Sequence, residues 1–89
     1  MAFMLMQQEV ADYTPWRAVF DSNEEVRRSR GVQSTRIFRG LENPNAVTLL
    51  VEWDNIDHAK SWLNDPRLRA AMQEAGVLSA PAVTFLNES

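Results

Sequence analysis

Residues 3–10 open on an apolar run, Phe3-Met4-Leu5-Met6, and turn polar through Gln7, Gln8 and Glu9 before Val10. The pattern predicts a strand, although the methionines also suit a helix. Thr14 then offers an N-cap and Pro15 a first helical position. Trp16, Val19 and Phe20 follow at helical spacing, Val26 extends the same side, and Gly31 makes a stop, so one helix is predicted over residues 14–30. Residues 32–39 and 46–53 read as strands, joined by the turn sequence Gly40-Leu41-Glu42-Asn43-Pro44-Asn45 into a hairpin. Asp54 is placed to cap a helix with Ile56, Ala59, Trp62 and Leu63 on one stripe. Asp65-Pro66 repeats a cap followed by proline and starts another helix. There Leu68, Ala71, Met72 and Ala75 recur at i, i+3, i+4 and i+7, and Gly76 ends the run. Pro81 opens a final strand over residues 82–86.

The order strand, helix, strand, strand, helix pair, strand predicts an α+β, ferredoxin-like βαββαβ fold. It is one domain over residues 1–89, a four-stranded antiparallel sheet with helices on one face and the first and third strands central. Both central strands are apolar at both parities, in Phe3-Met4-Leu5-Met6 and in Leu49-Leu50-Val51. Successive strand side chains point to opposite faces, so these strands need cover on both, and the helices form only one layer. A second copy is the expected cover, giving a homodimer or a higher oligomer. Chain length points the same way, because 89 residues bury only about 60–65% of their unfolded surface and are marginal alone. With no cysteine there is no disulfide or thiolate metal site, and the single histidine, His58, makes no imidazole cluster.

Charge narrows the partners. The net charge is −3, and its acids and bases are scattered, so no nucleic-acid partner is expected. Arg27, Arg28 and Arg30 read as favourable charge at a helix C-terminus. No apolar run approaches the roughly 20 residues that span a bilayer. The opening segment is too short for a signal core, so the expected location is cytoplasmic.

A longer set of residues carries a family resemblance. It runs from Val10-Ala11-Asp12-Tyr13 with Trp16 and Phe20-Asp21, through Gly31, Arg36 and Arg39, to Asn43-Pro44-Asn45 and Glu52-Trp53-Asp54. It ends with Pro66-Arg67-Leu68-Arg69, Met72 and Ala75-Gly76-Val77. In this order the chain resembles the dimeric α/β-barrel superfamily, and within it the antibiotic-biosynthesis-monooxygenase-like and cyclase-like small bacterial proteins. None of these segments is a catalytic signature. The resemblance implies two facing sheets that enclose a pocket, often for an aromatic or polyketide-like molecule. Monooxygenase-like members commonly carry a histidine where this chain has Trp62, so the haem-degrading pattern does not transfer.

Within such a barrel, alternation puts Ser34, Arg36, Thr48 and Glu52 on the face that meets the partner. Ile37, Val47, Leu49, Val51 and Trp53 then pack under the helices, and Gln8 or Gln7 joins the polar set. Three residues form the expected catalytic set. Glu52 is a general base if desolvation raises its pKa, Arg36 grips a carboxylate or phenolate, and Tyr13 closes the mouth or donates a proton. Gln8, Ser34 and Thr48 are the expected ligand contacts. The structural alternatives are an Arg36–Glu52 ion pair within the chain or across a dimer, a Tyr13 that staples the helix start, and tryptophans that are only core. The reaction expected is a cofactor-independent monooxygenation or cyclisation of an aromatic or polyketide-like substrate, with no cofactor. The alternative is a non-catalytic ligand-binding or protein-interaction module. A haem-handling role would rest on His58, in a solvated position, and ranks last.

Overall fold

In a computed structural model, which describes residues 2–89, the strands are β1 (Ala2–Glu9), β2 (Val32–Arg39), β3 (Ala46–Trp53) and β4 (Ala82–Asn87). The helices are α1 (Tyr13–Ser22), α2 (Glu24–Ser29), α3 (Ile56–Leu63) and α4 (Pro66–Ala75). The sheet order is β2-β3-β1-β4, all neighbours antiparallel, so the first and third strands are central as expected. Alternation sorts the hairpin as predicted. Val47, Leu49, Val51 and Trp53 are buried under the helices, and Thr48, Leu50 and Glu52 face the other way. The core joins these residues and Met4 and Met6 to Trp16, Ala59, Trp62 and Ala75 from the helices. The opposite face of the sheet has no cover among the described residues. Phe3, Leu5 and Leu50 are half-buried there, and Phe38 and Leu86 are exposed.

The predicted single helix over 14–30 is two helices, broken at Asn23. The Ser22 hydroxyl and the Asn23 amide both donate to the Val19 carbonyl, at 2.7 and 2.9 Å, competing with the helical ladder. The run Asp21-Ser22-Asn23 holds three residues of poor helix propensity, a signal that outweighs the continuing apolar stripe.

The helix also starts two residues earlier than Thr14-Pro15 suggests, with Asp12 as N-cap but without a side-chain bond from it. Its first N–H, from Tyr13, donates instead to the Asn45 side chain at 3.0 Å. Asn45 thus ties the start of α1 to the β2–β3 hairpin, a long-range substitute for a local cap. Likewise Asn55, not Asp54, caps α3, accepting from the His58 N–H at 2.9 Å.

Two glycines stand where φ is positive, Gly31 at 113° and Gly76 at 79°. Gly76 closes α4 in the left-handed conformation. At Gly31 an added Cβ would lie 2.4 Å from the Asp54 carboxylate, on a backbone that L-residues rarely adopt.

Asp65 caps α4 as expected, accepting from the Arg67 N–H at 2.8 Å, and its other oxygen holds Arg30 at 2.9 Å. Nearly buried, it joins the end of α2 to the start of α4. Asp65→Ala removes both contacts and should destabilise the fold by about 1–2 kcal/mol in urea unfolding. Asp65→Asn keeps the cap and should recover most of that loss. Equal losses from the two variants would place the effect in the ion pair.

Candidate functional site

The structure does not bring the six expected site residues together. Ser34, Arg36, Thr48 and Glu52 lie on the uncovered sheet face. Gln8 lies on the opposite face, buried under the helices, and Gln7 is the glutamine that shares a face with Thr48. The parity of β1 is set by its pairing, Gln8 opposite Val47 and Met6 opposite Leu49. Tyr13 lies on the helix side, but its hydroxyl points outward and accepts from Arg17 at 3.1 Å, while Arg39 stacks over its ring at 3.8 Å. Within the chain Arg36 and Glu52 form no ion pair. The regular hairpin register, running from Arg39 opposite Val47, sets Ser34 opposite Glu52 and Arg36 opposite Leu50, so the Ser34 hydroxyl donates to that carboxylate at 3.1 Å and Arg36 lies over Phe38.

A half-open pocket lies on the other side of the sheet. A cavity of about 70 Å³ runs between the helix layer and strands β1, β2 and β3. Its floor is Met4, Met6, Leu49 and Val51, and its roof includes Trp16, Phe20, Trp62, Leu68 and Met72. Trp16 and Phe20 stack with ring centroids 5.1 Å apart, and Tyr13 continues the row at 5.7 Å from Trp16. These positions recur at i, i+3 and i+7, so one face of α1 presents an aromatic ladder to the sheet.

Two polar atoms break this apolar lining. The Gln8 side-chain carbonyl and the Trp53 indole N–H are buried with no hydrogen-bond partner. Such groups are paired in the great majority of native interiors, and leaving one unpaired costs about 1–3 kcal/mol. Gln8 is level with Val47 and Trp53 with Ala2, so the two backbones stand about 20 Å apart along the strands at ~3.3 Å per residue. An acceptor therefore marks one end of the cavity and a donor the other. Neither signal was legible in the sequence, where Trp53 reads as core and Gln8 as part of the open face. Among the described residues Arg27 is the one ionisable group in the lining, and no carboxylate or imidazole lines the cavity, so these residues supply it no general base.

His58 is exposed, with Nδ1 2.8 Å from Asp54, and the bond holds the Asp54 carboxyl below the usual carboxylate range. This is a helix-start arrangement on the surface, remote from the cavity lining. Among the described residues no group of three or more His, Cys, Asp or Glu could hold a metal ion, and no helix is long and apolar enough to cross a membrane.

Comparison with known proteins agrees with this architecture. The sequence profile described as "Antibiotic biosynthesis monooxygenase" matches residues 11–74. No curated protein matches the chain. Among solved structures, a Bordetella bronchiseptica protein assigned to the antibiotic biosynthesis monooxygenases is similar with a TM-score of 0.82 and 16% identity. That alignment covers 99% of this chain and 96% of that one. SnoaB, a cofactor-independent oxygenase from Streptomyces nogalater, is similar with a TM-score of 0.79 and 12% identity, over 99% of this chain and 92% of that one. A conserved protein from Methanosarcina mazei Go1 follows with a TM-score of 0.75 and 15% identity, over 100% and 94%. At these identities the structural likeness is one of fold.

Proposed function

The chain belongs to the antibiotic biosynthesis monooxygenase family, and from that premise we propose that it binds an oxygen-bearing, polyketide-like aromatic molecule inside each protomer and oxygenates it without a cofactor. The observation that carries this reading is the apolar cavity with an unpartnered acceptor at one end and an unpartnered donor at the other. A fused-ring ligand would stack on Trp16 and Phe20, and its oxygens would satisfy Gln8 and Trp53. Kinship of fold with a cofactor-independent oxygenase supports the reaction class. In such a reaction the electron-rich substrate itself reduces dioxygen, and the protein contributes orientation and exclusion of water. Because no base lines the cavity, ionisation of the substrate has to be its own property.

The cavity is less than half of the ~150 Å³ that holds a benzene in a dry protein interior. A ligand must therefore move side chains aside, and Met4, Met6 and Met72 are unbranched and adaptable enough to yield. We also infer that the open sheet face is covered by a second copy, which makes Ser34, Arg36, Thr48 and Glu52 interface residues. The absence of an acid–base pair in the cavity supports one second reading, a ligand-binding module without turnover.

Native mass spectrometry with a panel of phenols, hydroxynaphthalenes and aromatic polyketides tests the proposal. The expected species is a dimer retaining one aromatic molecule per protomer, with oxygen uptake when retained compounds are incubated in air. Retention without oxygen uptake would favour the binding module. A protein that retains no member of the panel would remove the interior site.

A further inference from the structure

We propose that Arg27, lying on Phe20, is the latch over the mouth of the interior cavity and recognises an anionic group, a carboxylate or phenolate, on the incoming aromatic ligand. The inference rests on the interior binding site described above and adds its mouth, its polarity and the charge of its ligand.

A second, open hollow lies outside the cavity, between helices α1 and α2 and the edge strand β2. Four residues line both spaces: Phe20, Arg27, Val32 and Thr35. They form the wall common to the two spaces. Val32 and Thr35 are fixed in the sheet. Phe20 and Arg27 stand on either side of the Asn23 break, and α2 is six residues long with no buried residue. Val26 packs partly against the core and Arg30 holds Asp65, so α2 is tied at those two points, while among the described residues the Arg27 side chain is held only by Phe20. Since the cavity is too small for an aromatic ring, side chains of its wall must move, and Phe20 and Arg27 are the ones it shares with the outer hollow that stand outside the sheet.

The contacts of Arg27 suit a latch that opens for an anion. Its guanidinium carbon lies 3.5 Å from the Phe20 ring centroid, and one nitrogen donates to the Phe20 carbonyl. Among the described residues Arg17 is paired with Asp21 and Arg28 with Glu24, whereas Arg27 makes no ion pair. Partial burial works against its charge and pushes its pKa down, with Glu24 and Asp21 opposing from a distance. A carboxylate arriving in the hollow would give this guanidinium the bidentate partner it lacks.

Position along the strands adds the polarity. Val32 is opposite Trp53 and Thr35 opposite Val51, so the mouth is at the Trp53 end. Arg27 therefore stands at the mouth, the buried Trp53 lies at that end of the strands, and Gln8 with its unpartnered acceptor lies at the other. The ligand this selects is an elongated aromatic with its anionic group at one end and a hydroxyl at the other.

Calorimetric titration with 6-hydroxy-2-naphthoate and its neutral carboxamide tests the latch. The wild-type protein should bind the acid more tightly, and Arg27→Gln should weaken the acid about fivefold while changing the carboxamide by less than about twofold. Ala75→Leu, with Met72→Phe as a second variant, fills the interior and should abolish binding of both probes. Loss of acid binding in the filled variants with no change in Arg27→Gln overturns the latch alone. Equal weakening of both probes by Arg27→Gln overturns anion recognition. A wild-type protein that does not bind the acid overturns the ligand class, and undiminished binding in the filled variants overturns the interior site with the latch.

Discussion

Leu50→Arg is expected to convert the protein from a dimer to a monomer, raising the dimer dissociation constant by at least about a thousandfold, or ~4 kcal/mol. Leu50 sits near the middle of the uncovered sheet face, between Leu5 on β1 and Arg36 on β2. Phe3, Phe38 and Leu86 extend the apolar area around it. A guanidinium there points into water in the monomer, so the fold should survive. In a dimer it would be desolvated at the centre of the interface beside Arg36, and the carboxylate on that face, Glu52, already accepts from Ser34. Sedimentation velocity at micromolar concentration reads the change, and far-UV circular dichroism checks the fold. The melting temperature should also fall and lose its dependence on protein concentration. A wild-type protein that sediments as a monomer, or a Leu50→Arg variant that stays dimeric, would end the proposal that this face is an interface.

Much of the sheet was legible because β3 alternates strongly. Val47, Leu49, Val51 and Trp53 are buried and Thr48 and Glu52 are turned away, as period two requires. The first strand had no such phase of its own. Apolar at both parities and then glutamine at both, it leaves the choice between Gln7 and Gln8 to the strand it pairs with, a long-range fact. The Arg36–Glu52 pair within one chain fails for a related reason. The hairpin register sets Arg36 opposite Leu50 and Ser34 opposite Glu52, and which residues meet across the turn is again a long-range fact.

The site was less legible than the fold, and the reason is the same one that hides any cavity. Trp16, Trp53 and Trp62 were rightly read as core, since all three are buried. Whether a core is filled depends on how side chains from distant elements meet, and one chain's alternation carries no record of it. Arg27 shows the limit at a single residue. Its place in the last turn of α2 fits the reading as a helix-end charge. The seven-residue spacing from Phe20 hinted at a shared face, yet only the Asn23 break brings the guanidinium onto the ring.

Gln8→Leu separates folding from function at the one expected ligand contact that does line the cavity. Leucine is close in volume to glutamine and removes an acceptor that has no partner in the empty protein. Replacing an unpaired buried carbonyl by an apolar group should stabilise the fold by about 1 kcal/mol, visible as a melting temperature raised by about 4–8 °C. The same change leaves a bound hydroxyl without its partner. Binding of 6-hydroxy-2-naphthoate should weaken by between fivefold and a hundredfold, on the order of 1–3 kcal/mol, while 2-naphthoate, which lacks the hydroxyl, should be held at least as well. Stability and affinity moving in opposite directions is the signature of a polar group retained for a ligand. A Gln8→Leu protein that melts lower would mean that the amide is satisfied within the fold. One that binds both naphthoates unchanged would mean that the ligand's hydroxyl does not reach it.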